Sequence, residues 1–128
     1  NSRKILWGAN NALRDDPRRN FTFGISIENM STHFWYFSRS HIMVTDSFDF
    51  IKNPEYLVRF ILGLSFSHTE DISKGSRALG FDSTVQIYST NPIRYKFLVQ
   101  QTWYISTRCL SDFRAGALRG RATRVWEV

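Results

Sequence analysis

Phe21-Thr-Phe-Gly-Ile-Ser-Ile-Glu28 is the stretch that decides the fold. Phe21, Phe23, Ile25 and Ile27 alternate strictly with Thr22, Gly24, Ser26 and Glu28. That period of two puts every large apolar side chain on one face of an extended strand, whereas a helical repeat of about 3.6 would scatter them around a cylinder. The polar break over residues 29–32 predicts a turn back into a second strand, His33-Phe-Trp-Tyr-Phe37, and hence an antiparallel pair. Consecutive aromatics leave this second strand no polar face, so cover is expected on both sides.

Upstream of the pair, Ser2 is placed to cap a helix whose Ile5, Leu6, Ala9, Ala12 and Leu13 follow the spacing of one helical face, with Pro17 stopping it after Asp16. Downstream, Ser38-Arg39-Ser40 leads into a short β-branched stretch, residues 42–45, and then past Asp46-Ser47 to Phe48-Asp49-Phe50, which predicts one or two more strands. Asn53 as cap, Pro54 at the first helical position and Glu55 in the first turn open a second helix carrying Tyr56, Leu57, Phe60, Ile61 and Leu64 on one face. Val58 and Leu62 broaden its apolar arc, which favours packing on the sheet over lying on a membrane.

Residues 67–83 are rich in Ser, Thr, Asp, Lys and Gly and are expected to form a mobile loop or seam. A boundary near residue 80 divides the chain into an accessory α+β region, 1–80, and a strand-rich segment, 81–128. In the second, residues 85–88, 95–99 and 103–110 read as strands with Asn91-Pro92 as a turn, and 125–128 begins another. The expected class is α+β, a mostly antiparallel sheet with two main helices.

A chain of 128 residues can support one ordinary core. Aromatics reach 16%, with 11 Phe and 4 Trp, and favour strands and large core contacts. Lys and Arg number 17 against 11 Asp and Glu, a formal charge of +6 that favours anionic partners: phosphate ligands, nucleic acid or acidic proteins. The excess gathers in Arg108, Arg114, Arg119, Arg121 and Arg124, opposed over residues 108–128 by Asp112 and Glu127 alone. A solvated basic surface is the plain reading.

The single cysteine, Cys109, excludes an intrachain disulfide and supplies no thiolate cluster for zinc. His33, His41 and His68 lack paired ligand spacing, so no metal site is assigned. No run approaches the roughly 18 apolar residues of a spanning helix, and residues 1–15 lack an apolar signal core. No membrane partner is expected, and the expected location is intracellular, cytoplasm or nucleus. Asn20-Phe-Thr22 and Asn29-Met-Ser31 match the glycosylation pattern but lie in or beside a strand, and are read as chance matches.

No usual catalytic constellation is present, and no catalytic residue is assigned. Asp15 and Asp16 sit at a helix end before Pro17, where helix termination and an ion pair to Arg18 or Arg19 outweigh acid/base work. The nearest triad would need Ser38 or Ser40 with His41 and Asp46, but no strand-to-helix nucleophile elbow surrounds them. Arg39-Ser-His41 has donors for a phosphate, and its plainer reading is a strand-end ion pair with Asp46 or Asp49. Leu118-Arg-Gly-Arg-Ala-Thr-Arg-Val125, set against the pattern G-x-G-x-x-G-x-V, keeps the central glycine as Gly120 and the closing valine as Val125. Leu118 and Thr123 stand at the other two glycine positions, where glycine lets the backbone approach phosphates. Read without a family, this is an ordinary β-turn. Gly120, Thr123 and Val125 are the nucleotide-binding candidates. Arg18, Arg19, Arg39, Arg119, Arg121 and Arg124 are the candidates for contact with phosphate or nucleic acid.

Taken together, Asp16-Pro-Arg-Arg19, residues 21–28, Trp35-Tyr-Phe-Ser-Arg-Ser40 and Gly120-Arg-Ala-Thr-Arg-Val-Trp126 resemble, in order and spacing, the fungal-type protein kinase family over nearly the whole chain. The resemblance implies a region entering a kinase-like domain, with residues 103–113 as the first kinase strand and 121–128 as the second. Ala122 stands where the family usually has the second glycine of Gly-Arg-Gly-Thr. The upstream half is also similar to the later part of a restriction-nuclease-like core, with its first helix before the strand pair 21–28 and 33–38 and its acidic metal-binding motif expected before Asn1. By this likeness the parent protein transfers phosphate from ATP to protein, using ATP and Mg. The phosphate-pairing lysine, catalytic aspartate and metal ligands are expected beyond Val128. The present chain is then an accessory or regulatory region, expected to bind no cofactor tightly, whose partner is the downstream kinase domain in cis or another protein. The alternatives are a basic nucleic-acid- or phosphate-binding module and a protein-interaction domain.

Overall fold

Residues 2–67, 75–112 and 123–128 are described by the computed structural model of the chain. Helix α1 (Ser2–Asp15) precedes β1 (Phe21–Glu28) and β2 (Ser31–Ser38), which pair antiparallel from Phe21 opposite Ser38 to Glu28 opposite Ser31. Their tight turn runs through Asn29 at φ 56°, a left-handed conformation that asparagine tolerates better than most residues. Strand β2 also pairs with β3 (Ile42–Val44) through Trp35 to Phe37 and with β4 (Phe48–Asp49) through Ser31 and Thr32, completing a four-stranded sheet. With helix α2 (Pro54–Phe66) and two further antiparallel sheets, the fold is α+β.

Register places Thr22, Gly24 and Ser26 on the same face as Phe37, Trp35 and His33, and α1 packs there. Ala9, Leu13 and Phe37 form the buried cluster, with Ile5, Leu6, Trp35 and Ile42 against it. Gly24 permits the close approach: a Cβ there would lie 3.0 Å from both Ile5 Cδ1 and Phe37 Cε2. The Trp35 indole stacks on Phe37 and donates its N–H to Ser26 Oγ at 2.8 Å, so both ends of the ring are used.

The opposite face holds Phe21, Phe23, Ile25 and Ile27 beside Phe34 and Tyr36. Helix α2 reaches it through Phe60, stacked on Phe34 at 4.3 Å and edge-on to Phe23 at 6.3 Å, while Tyr56 meets Phe48. The aromatic run is therefore covered from both sides, as its sequence requires. The cover on this side is thin, because α2 buries no residue and Ile25 and Ile27 stay 37% and 44% exposed. Pro54 opens α2 as expected, but Asn53 makes no side-chain cap bond.

Of the predicted loop over residues 67–83, residues 68–74 lie outside the described residues. The part from Gly75 to Ser83 is hydrogen-bonded to the chain entering β1. A 3-10 turn (Arg77–Leu79) ends at Gly80 in the left-handed region at φ 94°, Asn20 N–H donates to Gly80 O at 2.7 Å, and Asp82 N–H donates to Arg18 O at 2.6 Å. Arg19 and Phe81 form an isolated antiparallel bridge, so this segment is laced to the chain entering β1.

Strands β5 (Val85–Thr90), β6 (Ile93–Val99) and β7 (Thr102–Ile105) form a three-stranded meander. The single strand expected over 103–110 is in fact two, β7 and β8 (Arg108–Asp112), broken at Ser106-Thr107. Hydrogen bonding gives the reason. Ser106 is 1% exposed and exchanges bonds with Tyr95, its N–H donating to Tyr95 O at 2.8 Å and its Oγ accepting from Tyr95 N–H at 2.9 Å. Thr107 N–H donates instead to Glu127 O at 2.7 Å, so the backbone changes partner there and β8 pairs antiparallel with β9 (Arg124–Glu127). The span 103–113 that the resemblance implies as one strand is divided in the same place, and residues 113–122 lie outside the described residues. Trp126 of β9 packs edge-on to Tyr95 and tilted against Phe97, joining this ribbon to the meander. No described helix is long and apolar enough to cross a membrane.

Candidate anion-binding site

Where α1 ends, the sequence Asp16-Pro-Arg-Arg19 turns the chain into β1. Asp16 Oδ1 accepts the Arg18 backbone N–H at 2.9 Å, and its carboxylate takes the Arg18 guanidinium at 3.0 Å through Nε and 2.7 Å through Nη2. Burial raises the Asp16 pKa, but the hydrogen bonds and charge of Arg18, with the charge of Arg19, outweigh it and hold the carboxyl below its ordinary value. Arg18 is consequently buried, with its guanidinium 5.0 Å from the centre of the Phe81 ring. The pairing anticipated for Asp16 is present, and its partner is Arg18.

Arg19 turns the other way. Its Nη1 donates to Leu79 O at 3.0 Å, and its guanidinium lies 4.2 Å above the Phe81 ring. It then lines a cavity of 660 Å³ together with Asp16, Asn20, Arg39, Arg124 and Trp126, the rest of the wall coming from Leu13, Pro17, Phe97 and Thr123. Arg39 enters from the end of β2, and Arg124 from β9. Arg124 is held by a bond from Nη2 to Arg14 O and an ion pair to Asp112 Oδ1 at 3.0 Å.

Electrostatically this wall is cationic and partly dry. Burial lowers the pKa of Arg39, and the neighbouring charge of Arg124 lowers it further. Burial also lowers that of Arg19, with Asp16 opposing and Arg18 reinforcing the shift. Both shifts leave Arg19 and Arg39 protonated at any physiological pH. Guanidiniums lining a half-apolar cavity are chemically suited to an oxyanion.

The phosphate-contact candidates thus separate. Arg19, Arg39 and Arg124 come together at the cavity, whereas Arg18 is buried against Asp16, and Arg119 and Arg121 lie outside the described residues. Among the nucleotide-binding candidates, Thr123 lines the same cavity, Val125 is 46% exposed, and Gly120 lies outside the described residues. Sequence reading did not single out Trp126, Phe97 or Asn20 as site residues. Period-two alternation along residues 124–127 was the available signal, since it sets Arg124 and Trp126 on one face and Val125 on the other.

At the Ser38-Arg39-Ser40-His41 turn, Ser40 Oγ lies 2.8 Å from His41 Nδ1, and Ser38 Oγ accepts the His41 backbone N–H at 3.1 Å. The His41 ring stacks on Tyr36. These contacts close a strand-to-strand turn. Asp49 accepts the backbone N–H groups of Ile51 and Lys52 at 2.8 and 3.2 Å.

In comparison with known proteins, the family described as Fungal protein kinase matches residues 1–128. No curated protein and no solved structure matches the chain.

Proposed function

The chain belongs to the fungal protein kinase family, and from that premise we propose that it serves as an accessory region of a kinase-like protein, docking the kinase domain of the same polypeptide, with ATP, Mg and phosphoryl transfer belonging to that domain. The observation that carries this reading is the apolar surface left on the α2 side of the sheet. Val58, Ile61, Leu62 and Phe66 of α2 are all at least 47% exposed, and Phe23, Ile25 and Ile27 of β1 are 37–44% exposed. Exposed apolar side chains in this number are the mark of a contact surface. The β8–β9 ribbon supports the same reading. A two-stranded ribbon is marginal alone, and Leu110 and Val125 are exposed on it, so further strands would complete its sheet. The resemblance assigns this ribbon to the kinase entrance, with Val125 facing a nucleotide. A reducing intracellular setting, cytoplasm or nucleus, keeps the exposed Cys109 as a thiol.

The test is phosphoryl transfer from labelled ATP to a generic protein substrate. We expect none from the present chain, transfer from the parent protein, and a changed rate when Ile61→Asp and Leu62→Asp are introduced together into the parent. Transfer by the chain alone, or a parent indifferent to the paired substitution, overturns the reading.

A further inference from the structure

We propose that the cavity walled by Arg19, Arg39 and Arg124 binds a phosphate monoester dianion. The three guanidiniums come from the entry to β1, the exit from β2 and strand β9, and only the folded chain brings them together. Asp16 is the carboxylate among the described lining residues, and its oxygens are already occupied by Arg18 at 2.7 to 3.2 Å. The wall is therefore net positive.

Arg19 and Arg124 are fixed in advance. The first is held by Leu79 O and the Phe81 ring, the second by Arg14 O and Asp112. A guanidinium carries five N–H donors, so these anchors leave donors for a ligand while removing the entropy cost of positioning it. Burial and mutual repulsion depress the pKa of Arg39 beside Arg124, and an anion between them relieves that repulsion. Leu13, Phe97 and Trp126 supply an apolar wall, which strengthens charge–dipole attraction inside.

Thr123, Arg124 and Trp126 bring β9 and the residue before it to the cavity wall. Three guanidiniums favour a doubly charged monoester over the singly charged diester of a nucleic-acid backbone. At 660 Å³ the cavity has room for the group that carries the phosphate.

Calorimetric titration of the full 128-residue chain tests this, using inorganic phosphate, adenosine monophosphate, a phosphoserine peptide with its unphosphorylated counterpart, and a short DNA duplex with unphosphorylated ends. At least one monoester is expected to bind more tightly than the duplex and the unphosphorylated peptide, and its affinity should fall below about pH 6 as the ligand becomes monoanionic. The tightest ligand identifies the carrier: free phosphate, nucleotide or phosphorylated side chain. Arg39→Gln should weaken binding by about tenfold or more. Thr123→Glu, which sets a carboxylate at the cavity wall, should abolish it. Circular dichroism confirms that each variant is folded. Failure of every monoester, tighter binding of the duplex, or affinity unchanged by both Arg39→Gln and Thr123→Glu overturns the proposal. None of these results bears on docking through α2, which transfer assays read separately.

Discussion

Helix α1 lies so close to one face of the β1–β2 pair that a methyl group on Gly24 would press on Ile5 and Phe37, whereas α2 rests on the other face without burying a single residue. Composition alone points the other way. The α1 face of β1 carries Thr22, Gly24 and Ser26, and the α2 face carries Phe21, Phe23, Ile25 and Ile27. The tighter layer forms over the smaller side chains because a helix can approach a glycine closely and interlock with the aromatics of the neighbouring strand. Over a ridge of bulky groups the helix stands off, and apolar area stays exposed. Hydrophobicity says which surfaces seek cover, and shape decides which are covered from within.

Substitutions on the two faces break or sharpen this contrast. Phe37→Ala, at a fully buried position in the α1 layer, should cost about 3–5 kcal/mol in denaturant unfolding, and Phe60→Ala in α2 markedly less. Equal losses would dissolve the distinction. Gly24→Val should cost about 1–3 kcal/mol by forcing α1 away from the sheet, a loss that Ile5→Ala in the same chain should partly recover. Asp16→Asn, at the end of α1, should cost about 1 kcal/mol near neutral pH. Because the folded Asp16 pKa lies below its ordinary value, its contribution is present above about pH 4 and is lost as pH falls through the folded value, so the variant should show a flatter acid limb than the parent chain. Smallest of all, Leu62→Asp on the open face of α2 should change the stability of this chain by no more than about 0.5 kcal/mol.

Local pattern carried much of the architecture. The alternation from Phe21 to Glu28, the spacing from Ile5 to Leu13 and the Asn53-Pro54-Glu55 start each resolve into the element they predict, because each is set by residues within a few positions of one another. The break at Ser106-Thr107 was not legible, since both residues suit a strand and the cause is a change of hydrogen-bonding partner from Tyr95 to Glu127. At the candidate site, the basic residues were identifiable by type. Their sorting was not: Arg18 turns into the protein and Arg19 into the cavity because of Asp16 and Leu79, and nothing in a pair of adjacent arginines announces which will do which.

The lacing of Arg18, Arg19 and Asn20 to Gly80, Phe81 and Asp82 has a kinetic side. The Arg19 to Leu79 bond spans 60 residues, and closing a loop that long costs about 4 kcal/mol of chain entropy before any contact rewards it. The β1–β2 hairpin closes over a two-residue turn at far smaller cost. Folding should therefore form the hairpin before the clasp. In pulse-labelled hydrogen exchange, the amides of Asn20 and Asp82 should gain protection after those of β1 and β2.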